Sequence, residues 1–323
     1  YHKLAKKIKV IDRSSLILDI FKKHAKTREA KTQVELALCQ YLLPRLTRQW
    51  THLERQMGGV GTRAGMGETQ IEVDRRLIRD KISKLKLDLT KIESERKTQS
   101  QNRVNEFRVA LVGYTNAGKS TLFNSLTGNN VYVKNQLFAT LDTTVRKLKL
   151  NKKHQVLISD TVGFIRKLPH NLVASFKSTL KELLEANHIL IVLDASSKII
   201  DEHLETISQV LNELGANEIP KSYIFNKIDL VENEYDIKKL KSNYSNAILT
   251  SALHHLRLDD VKNHLIEKIE SDFNVFDLNI SYEQGKILSQ IQNQAEILDT
   301  DYGDKAIKLK IRGKEDSIKR LFK

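Results

Sequence analysis

The sequence predicts an α/β protein built on a doubly wound, mostly parallel sheet, with an antiparallel helical hairpin before it and a small α+β domain after it. Three patterns carry that expectation. From Phe107 onward, short apolar runs alternate with helical stretches, as they do when helices cover both faces of a parallel sheet. Upstream, apolar residues recur at steps of three and four, the helical period, on either side of residues 58–67, which hold five glycines. Downstream of Asp272 the order is an apolar run at 276–280, a helical stretch from Glu283 and a second run at 306–311. There is no internal repeat.

The chain begins at Tyr1 rather than Met and reads as a fragment, with residues 1–26 the remnant of an N-terminal α/β subdomain. There the runs 8–11 and 16–18, separated by Asp12-Arg13-Ser14-Ser15, read as a strand hairpin or a strand and a turn. Residues 27–105 form the hairpin. Val34, Leu38, Leu42, Leu46, Trp50, Leu53 and Met57 fall on one helical face, and Pro44 should kink it. Cys39 beside that face reads as core rather than nucleophile, and Trp50 as packed within the hairpin. Ile78, Ile82, Leu85, Leu89 and Ile92 step by four and three, the a/d seam of a coiled coil. A helix over 71–103 would run about 50 Å at 1.5 Å per residue. The seam is structural and the glycines form the tip. Residues 106–272 make the main domain, with strands expected at 107–113, 156–159, 189–193, 222–225 and 247–250, and residues 273–323 make the last one.

Composition narrows the function. The 323 residues carry 54 Lys and Arg against 40 Asp and Glu, a net charge of +14. Residues 1–105 hold 24 basic and 12 acidic side chains, a surplus of 12, which leaves only 2 for the rest. A basic module beside a near-neutral one points to a polyanionic partner, although solvated lysine faces give the same surplus. One cysteine excludes a disulfide framework and a multi-cysteine metal site within this chain. No run of 18 apolar residues predicts a membrane span, and residues 1–4 lack a signal-peptide core. A soluble, cytoplasmic monomer is expected. The pair His254-His255 has no acid or cysteine at ligand spacing and reads as solvated loop.

The chemistry is carried by ordered motifs. Gly113-Tyr114-Thr115-Asn116-Ala117-Gly118-Lys119-Ser120 follows an apolar strand and opens a helix at Thr121. Such a loop turns backbone N–H groups onto phosphate oxygens, and the helix N-terminus adds its dipole. Lys119 reaches the β- and γ-phosphates and Ser120 binds Mg²⁺. Forty-one residues beyond Lys119, at the end of another strand, stands Asp160-Thr161-Val162-Gly163. Its acid can hold Mg²⁺ through water, and the Gly163 N–H can meet the γ-phosphate. Asn226-Lys227-Ile228-Asp229 ends a third strand. The Asp229 carboxylate can accept from guanine N1–H and the 2-amino group together. Adenine has neither donor, which disfavours an ATPase, because such sites discriminate by about 10⁴–10⁵. Lys227 can pack its stem along the base, and Ser251-Ala252 can close over guanine O6. In this order the motifs read as a GTP-binding P-loop domain. Where Ras-like GTPases carry a glutamine that orients the attacking water, this chain has Phe164, so slow intrinsic hydrolysis is expected. A threonine between Ser120 and Asp160 should complete the Mg²⁺ shell. Thr140, Thr143 and Thr144 are all candidates on the residues alone.

With these stretches in hand, the chain resembles the HflX family of translational GTPases, in the Obg-related group. The resemblance lies in GYTNAGKS at 113–120, FATLD at 138–142, DTVGFIRKLP at 160–169, NKID at 226–229, and the flanks of the glycine tip, WTHLERQ at 50–56 and GETQIEVDRR at 67–76. It spans nearly the whole chain. The tip and DTVGFIRKLP are specific to that family, whereas the phosphate loop is widely shared. The resemblance implies Mg²⁺-dependent hydrolysis of GTP to GDP and phosphate by a P-loop GTPase domain. It also implies a helical arm that binds the large ribosomal subunit and its RNA and helps split or rescue ribosomes. It selects Thr140 as the Mg²⁺ threonine and puts Phe138, Ala139, Leu141 and Asp142 beside the nucleotide. Two positions depart: Thr143 stands where the family usually has proline, and the tip reads Ala64-Gly65-Met66-Gly67 where G-P-G is common. The rival expectation is a nucleotide-dependent switch that acts through protein partners with little RNA role.

Overall fold

The structure, a computed structural model, describes residues 11–46, 70–100, 106–128, 143–165, 181–244, 246–271, 273–303, 306–314 and 318. The glycine tip, Trp50 and the FATLD stretch lie outside the described residues. The chain divides into two compact units, Tyr1–Leu258 and Asp259–Lys323.

Two short helices and a long one open the first unit. Helix α1, Arg13–His24, starts where the Asp12 carboxylate accepts from the Ser15 N–H at 2.8 Å. Leu16-Ile17-Leu18, expected as part of a strand, therefore lies in a helix. The competing signals are that N-cap and the helical spacing of Ile17, Leu18 and Phe21, which are all buried. Helix α2, Arg28–Leu42, is capped by Thr27, whose hydroxyl accepts from Ala30 N–H at 3.1 Å. It ends two residues before Pro44, with a turn at 43–45 and helical backbone again at Leu46, a break at the point where proline has no N–H to continue the ladder. Helix α3, Gln70–Ser100, has 31 residues, about 46 Å at 1.5 Å per residue.

Helix α2 is buried on two sides. Leu36 and Cys39 pack with Leu85 of α3, flanked by Ile78, Ile82 and Leu89, so the expected seam forms on the α3 side. On the α2 side the Val34 and Leu38 stripe points elsewhere. With Ala30 and Ala37 it joins the main apolar cluster, which also takes in Ile17, Leu18 and Phe21 and the sheet residues Ala110, Ile189 and Ile191. Lys81 and Glu35 close the helix pair at 2.6 Å.

Six strands follow: β1 Phe107–Gly113, β2 Thr144–Lys149, β3 Gln155–Asp160, β4 His188–Asp194, β5 Lys221–Asn226 and β6 Ile248–Leu249. Their spatial order is β2-β3-β1-β4-β5-β6. All neighbours are parallel except β2, which runs antiparallel to β3 at the edge. Central strands are buried on both faces and read as continuous apolar runs, which is why they were legible. Strand β2, with Arg146, Lys147 and Lys149, carries the charges typical of an edge and offers no apolar run. Between strands lie α4 Lys119–Thr127, α5 Lys181–Leu184, α6 Ile200–Leu214 and α7 Glu234–Asn243. The strand order reverses around β1, which pairs with β3 on one side and β4 on the other. In such sheets the crevice at the carboxyl ends of the strands is where ligands bind.

The second unit holds α8 Leu258–Ser271, most of whose residues fall in it, then β7 Phe273–Ser281, α9 Gly285–Gln294, β8 Glu296–Tyr302 and β9 Ala306–Lys314. The antiparallel order is β7-β9-β8. Ile307, Leu309 and Ile311 of β9 alternate into a small core with Ile280, Ile291 and Ile318, while Lys308 and Lys310 face out. Strand β8, with Asp299 and Asp301 in its middle and a register shift between Ile297 and Asp299, gives no clear strand signal in the sequence.

Truncating either side of the helix pair should loosen it. Leu36→Ala and Leu85→Ala should each lower stability by about 2–4 kcal/mol in urea unfolding. Because the two belong to one cluster, the double variant should lose less than the sum of the single losses.

Candidate nucleotide site

At the carboxyl end of β1 the chain turns through residues 114–118 into α4. Gly118, at φ +91°, caps α4 without a side-chain hydrogen bond. The first N–H groups of α4 are therefore left without a side-chain cap, the arrangement that receives an anion. A Cβ on Gly118 would come within 2.1 Å of Asn226 Nδ2, so glycine is required by space as well as by backbone angle. Lys119 folds back under the loop and donates to the carbonyls of Gly113 and Tyr114 at 3.1 and 3.0 Å. Its burial pulls the ammonium down from 10.5 to about 8, and the Asp160 carboxylate opposes that pull.

Ser120, the first hydroxyl of α4, donates to Asp160 Oδ2 at 2.6 Å. This brings together two of the three residues that the sequence analysis links to Mg²⁺; the third, Thr140, lies outside the described residues. Thr161 donates to the Leu111 carbonyl at 2.6 Å, fastening the loop after β3 to β1. Gly163 lies against the phosphate loop: a Cβ there would sit 3.0 Å from Lys119 Nζ and 3.0 Å from Thr115 Cα and Cγ2. Phe164 N–H donates to the Gly113 carbonyl at 3.0 Å, and the Phe164 carbonyl accepts from Thr115 N–H at 2.8 Å. The Phe164 side chain is buried in the main cluster with Val162. Phe164 is thus a pin between two loops.

The base end is assembled by β5 and β6. Asn226 is buried, and its amide spans two loops: Nδ2 donates to the Ala117 carbonyl at 3.0 Å and Oδ1 accepts from Ala252 N–H at 2.9 Å. Lys227, at φ +63°, pairs with Asp194 Oδ2 at 2.7 Å. Ile228 and Asp229 open a short 3₁₀ turn, Ile228–Leu230, and Ile228 N–H donates to the Thr250 carbonyl at 3.3 Å. Ser251 and Ala252 are buried, and α4 reaches them through Ser125 Oγ, which donates to the Ala252 carbonyl at 2.7 Å.

The structure therefore draws Gly113–Ser120, Thr121, Asp160–Gly163, Asn226–Asp229, Ser251 and Ala252 to one edge of the sheet. Phe138, Ala139, Thr140, Leu141 and Asp142 lie outside the described residues, while Thr143 and Thr144 lie at the start of β2, with Thr144 opposite Asp160. Three contributors escaped the sequence reading. Asp194 ends β4 and holds Lys227, a position at the carboxyl edge of a strand that gave the available signal. Ser125 gave none. His254, expected as a solvated loop residue, is more than half exposed, yet its Nε2 stands 3.6 Å from Asp229 Oδ2. Among the described residues no cluster of three His, Cys, Asp or Glu could hold a metal, and no helix is long and apolar enough to cross a membrane.

A six-stranded sheet with a phosphate loop after β1, an acid–glycine loop after β3 and an Asn-Lys-x-Asp turn after β5 defines a P-loop GTPase. Comparison with known proteins agrees. Residues 24–103 match the family model described as GTP-binding GTPase middle region, and residues 108–227 match 50S ribosome-binding GTPase. GTPase HflX of Escherichia coli K12 is 42% identical over 320 residues, covering 98% of this chain and 75% of that protein. GTPase HflX of Caldanaerobacter subterraneus is 43% identical over 305 residues, covering 94% and 70%. The crystal structure of SsGBP with GDP superposes with a TM-score of 0.52 at 27% identity, covering 80% of this chain and 72% of that one. The chain belongs to the HflX family of GTPases; it binds and hydrolyses GTP.

Burial of Lys119 gives the site a pH signature. A lysine lowered to about 8 in the folded protein and regular at 10.5 when unfolded depresses stability below pH 8. That cost is relieved as pH rises from 8 toward 10.5, because there the unfolded chain holds more protons. Phosphates placed beside the ammonium, as the sequence motif predicts, would reverse the shift. At pH 8.5 GDP binding should therefore take up about three-quarters of a proton, read by calorimetry in buffers of different ionisation heat, and the uptake should shrink toward pH 7.5.

Proposed function

We propose that this GTPase works on the large ribosomal subunit, with the helix pair of α2 and α3 as its RNA-binding arm, and that nucleotide state sets its hold there during ribosome splitting or rescue. The observation that carries the reading is the charge asymmetry: residues 1–105, the arm with the segment that precedes it, hold a surplus of 12 of the net +14, beside a GTPase domain that is almost neutral. The matched description, 50S ribosome-binding GTPase, supports the same partner. Residues 1–26, 27–105, 106–272 and 273–323 serve in this reading as N-terminal remnant, arm, GTPase domain and C-terminal domain of a cytoplasmic monomer.

Within the site, Lys119 and Gly163 act on the terminal phosphates, with the loop 113–121 around them, and Asp229 reads guanine with Asn226, Lys227, Ile228, Ser251 and Ala252 as its setting. Mg²⁺ fits the donors present. A serine hydroxyl 2.6 Å from an aspartate oxygen offers hard oxygen ligands, and this ion is usually held by one or two protein oxygens plus phosphates and water. Ser120 would hold it with Thr140, and Asp160 through water. When bound it neutralises charge on the β- and γ-phosphates. The residues 138–144 and 161–168 would be ordered by GTP and released after hydrolysis.

Two experiments test the proposal. Asp229→Asn should move preference from guanine toward xanthosine nucleotides by at least tenfold in competition binding. Unchanged guanine preference removes Asp229 as the reader. Sedimentation with ribosomal subunits should show co-migration with the large subunit under a non-hydrolysable GTP analogue and less with GDP or no nucleotide. That binding should weaken steeply with salt if RNA phosphates carry it. Salt-insensitive binding would favour the rival, a switch acting through an apolar protein interface.

A further inference from the structure

Hydrolysis needs a group that fixes water in line with the γ-phosphate. Residue 164, where a glutamine would stand, cannot supply it. Its side chain is apolar and buried, and its backbone is tied on both sides to the phosphate loop. The neighbouring residue in that same tie, Thr115, has what Phe164 lacks. Thr115 is only 7% exposed. Its Oγ1 is buried without a hydrogen-bond partner, the only such Ser, Thr or Tyr hydroxyl among the described residues. An unmet buried hydroxyl is destabilising, so its place in the phosphate loop asks for a ligand.

Its surroundings identify that ligand. Thr115 Cγ2 and Lys119 Nζ both lie 3.0 Å from the point where a Cβ on Gly163 would project. The hydroxyl shares its carbon with that methyl, and one rotamer step of about 120° exchanges them. After that step the hydroxyl would occupy the methyl's place, in the space bounded by Gly163 and Lys119, the groups assigned to the terminal phosphate. Both of these are donors. A threonine hydroxyl can accept from a water and donate to a phosphate oxygen at once, the pair of roles a glutamine amide fills. Its backbone is already held, because Thr115 N–H is bonded to the Phe164 carbonyl at 2.8 Å.

We propose that Thr115 is the catalytic residue that positions the attacking water, its Oγ1 accepting from the water and donating to a γ-phosphate oxygen. The proposal rests on the assignment of Lys119 and Gly163 to the γ-phosphate. The water oxygen forms a bond to γ-phosphorus, the bond from phosphorus to the β–γ bridging oxygen breaks, and that oxygen leaves on GDP. The water proton ends on inorganic phosphate, and threonine is unchanged. Its role is orientation, since its hydroxyl is far too weak a base to take the proton itself.

The test compares Thr115→Val, which keeps the shape, with Thr115→Ser, which keeps the hydroxyl, in the full chain. Readouts are single-turnover GTP hydrolysis, KM and GDP affinity by fluorescent-nucleotide displacement. T115V should lower kcat by about 10²-fold, the scale for removing one positioned hydrogen-bonding group, with KM and GDP affinity within twofold of wild type. T115S should keep at least half of the rate. A fall of less than tenfold in T115V, a T115S rate as low as that of T115V, or a loss of GDP affinity beyond twofold overturns the proposal. Lys119→Ala, measured in parallel with Thr115 intact, tests the underlying assignment by itself: its GTP turnover should be lost, and turnover at the wild-type rate overturns both.

Discussion

The site depends on one buried amide. Asn226 stands at the end of β5 and joins the phosphate loop to the loop after β6, through bonds of 3.0 Å to Ala117 and 2.9 Å to Ala252. Those partners are 109 and 26 residues away in sequence. A side-chain amide has both a donor and an acceptor end, which is what two loops offering a carbonyl and an N–H require. Aspartate would lose the donor and leave Ala117 unmet. Gly118 is tied to the same constraint, because the space its side chain would need is filled by Asn226 Nδ2. Ser125 secures the second loop from the other side, through the Ala252 carbonyl. The nucleotide motifs are therefore also the structural ties of the domain.

Lys119 shows the converse, a group held at a cost. Burying an ammonium with only two carbonyls as hydrogen-bond partners disfavours its charged form. Backbone carbonyls supply partial negative charge, and Asp160 adds to it, but neither replaces bulk water. A polyphosphate does so far better, because its full charges meet the ammonium directly in a poorly solvated place. Under the proposed placement of the phosphates beside Lys119, their charge would offset this burial cost and add to binding.

Legibility followed burial and locality. Strands β1, β3, β4 and β5 could be read because they are apolar on both faces, and the motifs at their ends could be placed because each is contiguous. Strands β2 and β8 were not found. Each lies at a sheet edge and carries the charges that keep edges from pairing. Residues 16–18 are ambiguous for another reason: three apolar residues in a row suit a strand or a buried helix equally, and Asp12, the N-cap that decides for helix, is also a common turn residue. The faces of α2 misled because the helix is covered twice, so its spacing does not define a single stripe. The amide staple of Asn226, the Asp194–Lys227 pair and the approach of His254 to Asp229 join distant loops, and no local pattern encodes such contacts.

The double burial of α2 has a mechanical consequence for the nucleotide end. Val34 and Ala37 on one side of α2 belong to the same apolar cluster as Phe164 and Val162, while Leu36 and Cys39 on the other side hold α3. Phe164 is also fastened by two backbone hydrogen bonds to Gly113 and Thr115. It cannot leave its seat without breaking both bonds and opening a phenyl-sized space in that cluster, a change on the order of 3–5 kcal/mol if nothing refills it. A glutamine at 164 would need that same seat to accept an amide without partners, which costs more still. The aromatic residue is thus what lets the loop after β3 serve as part of the core. The water-positioning role proposed for Thr115 lies on the opposite side of the Phe164 tie, in the phosphate loop itself.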